Sequence, residues 1–102
     1  MLIMRLSMIL TVDDLKRIEV DEGKGGALIK ADVHGLKCRE AKRLINNIIN
    51  VIRQAFHLIV IHGYNHGTAI KDMLAHGYEN THVVEKYIDC NNQGVTHLIV
   101  ES

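Results

Sequence analysis

The pattern of apolar and polar positions changes three times along the middle of the chain. Residues 27–33 and 58–61 are short apolar runs, and each ends at a His-Gly pair. Such runs are too short for buried helices and are typical of strands. Between them, residues 38–54 carry apolar side chains at the three- and four-residue spacing of an amphipathic helix. The pattern predicts a strand, a long helix and a second strand.

The second half of the chain continues this alternation. Residues 68–75 have one apolar side at helical spacing, and His76-Gly77 ends the predicted helix. Strand-like runs follow at 82–87 and 95–100, joined by turn-forming residues. The order β-α-β-α-β-β predicts an α/β fold, a two-layer sandwich with a small mixed sheet and two helices. Its first strands should be parallel and joined by right-handed crossovers.

The amino-terminal residues are set apart by the glycine-rich sequence Gly23-Lys24-Gly25-Gly26. We therefore divide the chain into an arm, residues 1–26, and a domain, residues 27–102. Within the arm, Thr11 begins a capping-box pattern that predicts a short helix over 13–18, with a strand over 18–20 as the alternative. Met1, Met4 and Met8 are all candidate start residues.

Composition narrows the class of protein. The 102 residues carry 12 basic and 12 acidic side chains, which disfavours a wholly electrostatic nucleic-acid binder. A local basic surface is still expected on the long helix, because residues 37–56 hold five bases against Glu40. Cys38 and Cys90 lack metal-ligand spacing. They indicate reduced thiols, and the charged residues that interrupt the first apolar run argue against export, so we expect a cytoplasmic protein without a membrane span.

The two His-Gly pairs identify a candidate site. Parallel strands end at the same edge of a sheet, so Asp32, His34, His62 and His66 should lie close together. Carboxylate and imidazole groups can exchange protons near neutral pH. Backbone N–H groups of the glycine-bearing turn that follows His62 could hold a phosphate at the start of the next helix.

These motifs resemble those of the Smr (small MutS-related) domain family. Residues 32–36, Asp-Val-His-Gly-Leu, match the family's L-D-x-H-G motif, with Ala31 in place of the leucine. Residues 62–67, His-Gly-Tyr-Asn-His-Gly, resemble its H-G-x-G-x-G motif, with Asn65 in place of a glycine. The resemblance covers about residues 27–101. It implies a fold similar to the carboxy-terminal domain of translation initiation factor 3, nucleic acid as the target, and endonuclease activity on DNA or RNA.

The residues and the resemblance together predict three groups of functional side chains. Those expected to be catalytic are Asp32, His34 and His62. Those expected to bind phosphate are Gly63, Asn65, Gly67 and Thr68. Those expected to contact nucleic acid are Arg39, Lys42 and Arg43 on the long helix, and Tyr64, which could stack on an unpaired base. We expect Mg²⁺ or Mn²⁺ to support cleavage and no tightly bound metal.

Several alternatives stay open at this point. Asp32 could only cap the following helix, with His34 bonded to it. A histidine cluster with Asp32 would suit zinc, but its spacing matches no ligand pattern. The protein could bind nucleic acid without cleaving it, or be a small protein-interaction domain that forms a homodimer through the arm. His57, His76, His82 and His97 are assigned to the surface or to strand faces.

Overall fold

The computed structural model of the chain describes residues 2–23, 25–52, 54–63 and 67–101. In chain order its elements are α1 (Leu2–Ser7), α2 (Val12–Leu15), β1 (Ile18–Gly23), β2 (Gly26–Asp32), α3 (Cys38–Val51), β3 (Phe56–Ile61), α4 (Ala69–Asp72), a π-helical segment (Met73–Gly77), β4 (Val83–Ile88) and β5 (Val95–Val100). No helix within these described ranges is both long and apolar enough to span a membrane.

The five strands form one mixed sheet in the order β1-β2-β3-β5-β4. β2 and β3 are parallel, and every other neighbouring pair is antiparallel. Because parallel neighbours need a long connection, α3 forms the crossover between β2 and β3. The predicted α/β class and mixed sheet are confirmed, and the first two predicted strands are parallel.

The hydrophobic core lies between one face of this sheet and the helices. Alternate residues of β2, β3 and β5 are buried, as the two-residue period of a strand requires. On α3 the buried positions recur at helical spacing, so one stripe of that helix packs on the sheet. The shared cluster includes Ile29, Ala31, Leu44, Ile45, Ile48, Leu58, Val60 and Leu98. The opposite face of the sheet is only half-buried, and we call it the open face.

The predicted arm contributes a strand to the sheet. β1 pairs antiparallel with β2, with Ile18 opposite Ala31 and Gly23 opposite Gly26. The glycine-rich sequence that marks the end of the arm is therefore the connection of a β-hairpin. Gly26 has a φ of 112°, which a residue without a Cβ adopts at little cost.

The arm also contributes to the core. Leu2, Leu6 and Leu10 belong to the same buried cluster as the sheet and α3. In addition, the Leu2 N–H donates to the Glu22 carboxylate at 3.4 Å, which ties α1 to β1. Residues 2–23 therefore share one core with the rest of the described chain.

The structure corrects several boundaries of the predicted elements. The short helix and the strand, weighed as alternatives, both form, so the sheet has five strands rather than four. α3 ends at Val51 rather than at residue 54, because Ile52 adopts an extended conformation and is itself buried. The helix predicted over 68–75 is α4 continued by the π-helical segment to Gly77.

Substitution of Leu6 tests whether α1 contributes to the stability of the fold. Its side chain is fully buried, so Leu6→Ala should lower the free energy of unfolding by about 2–5 kcal/mol, through lost burial and the cavity left behind. Met8, which is 84% exposed, provides the matched control, and Met8→Ala should leave stability nearly unchanged. Urea denaturation followed by circular dichroism would measure both. Equal stability of Leu6→Ala and the parent would show that α1 is not needed for the fold.

Candidate functional site

Asp32 and His34 form a pair at the end of β2. The Asp32 Oδ1 atom contacts His34 Nδ1 and also accepts the His34 backbone N–H at 3.2 Å. Both side chains are accessible, with 41% of the Asp32 side chain and 67% of the His34 side chain exposed. A carboxylate can only accept at neutral pH, so Nδ1 of His34 carries the hydrogen and Nε2 is the basic nitrogen. The ring is therefore held in one tautomer, and its Nε2 forms no hydrogen bond with the described residues.

Arg17 lies beside this pair. Its Nη1 atom donates to the carbonyl oxygens of Asp32, at 3.2 Å, and His34, at 3.4 Å. The Asp32 N–H in turn donates to the Arg17 carbonyl at 2.8 Å, which extends the β1–β2 ladder by one residue. Sequence reasoning missed Arg17, because only the hairpin brings an arm residue to the end of β2. A guanidinium group at this position adds positive charge beside the exposed imidazole.

The second His-Gly pair meets the first, as predicted for neighbouring parallel strands. The Val33 N–H donates to the Ile61 carbonyl at 2.9 Å, which carries the pairing of β2 and β3 to their ends. A Cβ atom built on Gly63 would lie 3.8 Å from the His34 Cβ, so the two turns are in contact. Gly63 itself has a φ of 72°, a conformation that favours glycine. The structure thus brings Asp32, His34 and Gly63 together.

The His62 side chain lies on the other face of the sheet. Leu58 and Val60 are buried on the helix-covered face of β3. His62, two residues further on, continues this alternation and is only 6% exposed. Its Nδ1–H donates to the Gly63 carbonyl at 2.8 Å, and Nε2 accepts from the Thr96 hydroxyl at 2.7 Å. Both ring nitrogens are therefore occupied, and burial lowers the pKa of His62. These two hydrogen bonds hold the turn at Gly63 against β5.

The predicted phosphate-binding turn is only partly within the described residues. Tyr64, Asn65 and His66 lie outside them. The Gly63 N–H already donates to the Gly94 carbonyl at 3.0 Å, so it is engaged in the fold. Thr68 precedes α4, and its hydroxyl donates to the Asp72 carboxylate at 2.9 Å.

The basic side chains of α3 lie on its outer surface. Arg39, Lys42 and Arg43 are all exposed, while the neighbouring Ala41 and Leu44 are buried. The spacing of 39, 42 and 43 places the three cations on one side of the helix. Because a loop of five residues joins β2 to α3, this surface begins at the same edge of the sheet as the Asp32–His34 pair. We refer to these three residues as the basic surface.

The described residues offer little for a tightly held metal. No group of three His, Cys, Asp or Glu side chains among them is placed to hold one ion. Cys38 and Cys90 are free thiols. Asp32 alone fits a weaker arrangement, since Mg²⁺ often binds through one carboxylate, several waters and the phosphates of its substrate. Asp32 would be the protein ligand, and the cation would neutralise charge on the phosphoryl oxygens.

A second cluster of titratable groups, which sequence reasoning missed, lies on the open face. The His97 Nε2–H donates to Asp89 Oδ1 at 2.6 Å, and His97 Nδ1 lies 2.7 Å from His57 Nε2. The Tyr87 ring stacks on the His97 ring, with centroids 4.8 Å apart. The hydrogen bond from His97 lowers the pKa of Asp89, and burial lowers the pKa of His57. His57 and His97, which were expected on the surface or on strand faces, lie on strand faces, and their contacts depend on the β3–β5–β4 order.

Comparison with known proteins adds no identification. No protein-family model, no curated protein and no solved structure matches this chain. The geometry of the residues described above therefore carries the functional argument.

The buried, neutral His62 predicts a loss of stability in mild acid. An unfolded histidine has a pKa near 6.5, and burial lowers the pKa of folded His62, so the unfolded chain binds more protons below that pH. The free energy of unfolding should therefore fall as pH drops from about 7.5 to 5.5. His62→Gln should reduce this slope and cost about 1–3 kcal/mol at neutral pH, since it disturbs buried hydrogen bonds.

The control for this prediction is His76→Gln, because His76 is exposed. Urea denaturation of the three proteins at several pH values would measure the slopes. His57 contributes in the same direction, so the test is the difference between His62→Gln and the parent. A slope unchanged in His62→Gln would contradict the prediction.

Proposed function

We propose that this protein binds nucleic acid and hydrolyses a phosphodiester bond at the Asp32–His34 pair. The observation that carries the proposal is the exposed His34 imidazole, held in one tautomer by Asp32 at the edge where the basic helix begins. An imidazole fixed by a carboxylate is suited to exchange a proton with water near neutral pH. The neighbouring cations of α3 supply the attraction for a phosphate backbone.

We also propose that residues 26–100 have an Smr-like fold similar to the carboxy-terminal domain of translation initiation factor 3. The strand and helix order β2-α3-β3-α4-β4-β5 supports this, because it reproduces the β-α-β-α-β-β order that the motifs imply. The two His-Gly turns also meet at one edge, as a paired motif would require. In this view β1 and the two short helices before it are additions to the family fold.

The chain's own groups suggest how hydrolysis would proceed. His34 Nε2 would take a proton from water as the water oxygen attacks phosphorus, and the bond from phosphorus to the leaving oxygen would break. Asp32 would hold the ring and stabilise the imidazolium that forms. The same imidazolium could then return the proton to the leaving oxygen. Arg17 would add positive charge near the phosphoryl oxygens, and Mg²⁺ or Mn²⁺ at Asp32 would add more.

The remaining predicted site residues have different support. His62 makes core hydrogen bonds, so we assign it to holding the Gly63 turn against β5 rather than to proton transfer. Among the described residues of the turn, the N–H groups of Gly67 and Thr68 are the candidates to hold a phosphate. A cytoplasmic location agrees with the two free thiols, Cys38 and Cys90.

The alternative functions also have observations in their favour. Binding without cleavage would need only the basic surface. A protein-interaction domain that forms a homodimer is supported by the arm, where large apolar side chains between 44% and 84% exposed include Ile3, Met4, Met8 and Ile9. These alternatives differ from the proposal in what they predict for cleavage and for affinity at low salt.

Cleavage should depend on the Asp32–His34 pair. We expect the purified protein, with Mg²⁺ or Mn²⁺, to cleave supercoiled DNA, single-stranded RNA or structured RNA. His34→Gln and Asp32→Asn should each reduce the rate by about 10²–10⁴-fold, the usual contribution of a positioned acid–base group. Gel assays with chelator-treated samples alongside would measure both the rate and the metal dependence.

His76→Gln is the matched histidine control, since His76 is exposed and lies outside the pair. It should cleave at the parent's rate. Binding without cleavage would favour the binding-only alternative. Cleavage retained in both His34→Gln and Asp32→Asn would place the active site elsewhere.

Binding should depend on the basic surface and on salt. Replacing Arg39, Lys42 and Arg43 by Gln should weaken binding of a labelled oligonucleotide at every sequence tested. It should also reduce the slope of log affinity against log salt by about 2–3, because each lost phosphate contact releases roughly one counterion fewer. Fluorescence anisotropy between about 25 and 200 mM salt covers the range in which counterion release contributes strongly to the affinity.

Lys30→Gln is the control for this measurement, because Lys30 is exposed but belongs to the open face of β2. It should leave the affinity and the salt slope unchanged. If neither the parent nor the variants bind any nucleic acid at low salt, the protein-interaction alternative is favoured. Monomer–dimer equilibria of the parent and of Met8→Asp would then test the arm.

A further inference from the structure

The open face of the sheet has an apolar centre. Cross-strand register places Leu28 beside His57, and His57 beside Ile99. In the next two rows Ile59 lies between Lys30 and His97, and Ile61 lies between Asp32 and Val95. The aliphatic members of these rows are half-buried and form a surface that runs along β3 and β5 and reaches β2 at Leu28, while Lys30 and Asp32 occupy the other open-face positions of β2. The buried residues of these strands all lie on the other face of the sheet. The described helices therefore pack on that face and not on the open face.

Carboxylates line both sides of this apolar centre. Glu19 and Asp21 lie on β1, opposite Lys30 and Leu28. On the other side Glu85 lies opposite Ile99, and Asp89 binds His97. Within the described part of the chain, Glu19, Asp21 and Glu85 form no ion pair with any Lys or Arg. The open face therefore has a partly apolar central strip, with Lys30 and Asp32 on β2, and the carboxylates of the flanking strands form no ion pair with Lys or Arg among the described residues.

The dimensions of the strip fit one α-helix. Three strands at about 4.8 Å spacing span about 10 Å, which is the diameter of a helix. Strands of six or seven residues are about 20 Å long, the length of a helix of about 13 residues. Basic side chains on both flanks of such a helix would reach the carboxylates of β1 and β4, because Lys and Arg extend past an apolar stripe.

We propose that the open face binds a basic amphipathic helix of a partner protein. Its apolar stripe would pack on Leu28, Ile59 and Ile99, and Lys or Arg residues on its flanks would pair with Glu19, Asp21 and Glu85. Tyr87, which is 44% exposed and stacked on His97, would form part of the rim. Helix on sheet is also the packing that already covers the other face. The open face includes Asp32 at the end of β2 but none of the basic residues of α3, so the inference does not rest on the proposed nucleic-acid binding.

Two other occupants fit the open face less well. Nucleic acid laid across the open face would bring its phosphates against the carboxylates of β1 and β4, which repel them. A second copy offers no suitable helix among the described residues. The apolar stripe of α3 is buried in its own core, and α1, at six residues, spans less than half the length of the strip.

The probe for this inference is a 14-residue amidated peptide with Leu at helical spacing and Lys on both flanks, labelled for fluorescence anisotropy. The full chain should bind it saturably. A peptide with Glu in place of every Lys should not bind. Asp21→Lys and Glu85→Lys should each weaken binding at least fivefold, and together more than either alone. Glu79→Lys, an exposed acid in the connection before β4, is the matched control and should bind as the parent does.

Amide chemical shifts of the labelled protein give the second measurement. Peptide addition should shift resonances of β2, β3 and β5 more than those of α3. Ile59→Ser should also weaken binding, with its fold checked by circular dichroism. Three results would overturn the inference: no saturable binding, equal binding by Asp21→Lys and the parent, or shifts confined to the helices. Sedimentation showing a dimer that competes with the peptide would instead assign the open face to a second copy and would also overturn it.

Discussion

The parallel pairing of β2 with β3 is the constraint on which the candidate site depends. Its register places Asp32 opposite Ile61, so both strands end at the same edge and both His-Gly turns begin there. Parallel pairing also requires a long crossover, and α3 supplies it. The basic surface therefore begins at the same edge of the sheet as the exposed Asp32–His34 pair.

The alternation of side chains along the strands separates His34 and His62, which occur in similar motifs of the sequence. His34 follows β2 on the side of its open-face residues, whereas His62 follows β3 on the buried side and meets Thr96. Two histidines at equivalent places in two similar motifs thus have different environments. One is exposed and held by a carboxylate, and the other is buried with both nitrogens engaged. At one sheet edge, His34 is thus the candidate reactive group, and His62 supports the adjoining turn from the core side.

Much of this arrangement could be predicted from local signals. The helical spacing of α3 and the two runs that end at His-Gly gave the central strand-helix-strand unit and the meeting of its turns. The face of His62 could not be predicted, because residues 58–61 are apolar at every position and show no alternation. The position of Arg17 could not be predicted either, because it depends on the β1–β2 hairpin. In the sequence, the connection of that hairpin appears only as a glycine-rich break. The contact of His57 with His97 required the strand order, which depends on long-range packing.

The distribution of charge gives the neutral chain two different surfaces. Arg39, Lys42 and Arg43 project from the helical layer, while Glu19, Asp21 and Glu85 project from the open face of the sheet. The neutral chain therefore has local surfaces of opposite charge. In the proposed function, the cations of α3 would attract a polyanion and the carboxylates of the open face would repel it, and Asp32 lies on β2 at the border of these two surfaces.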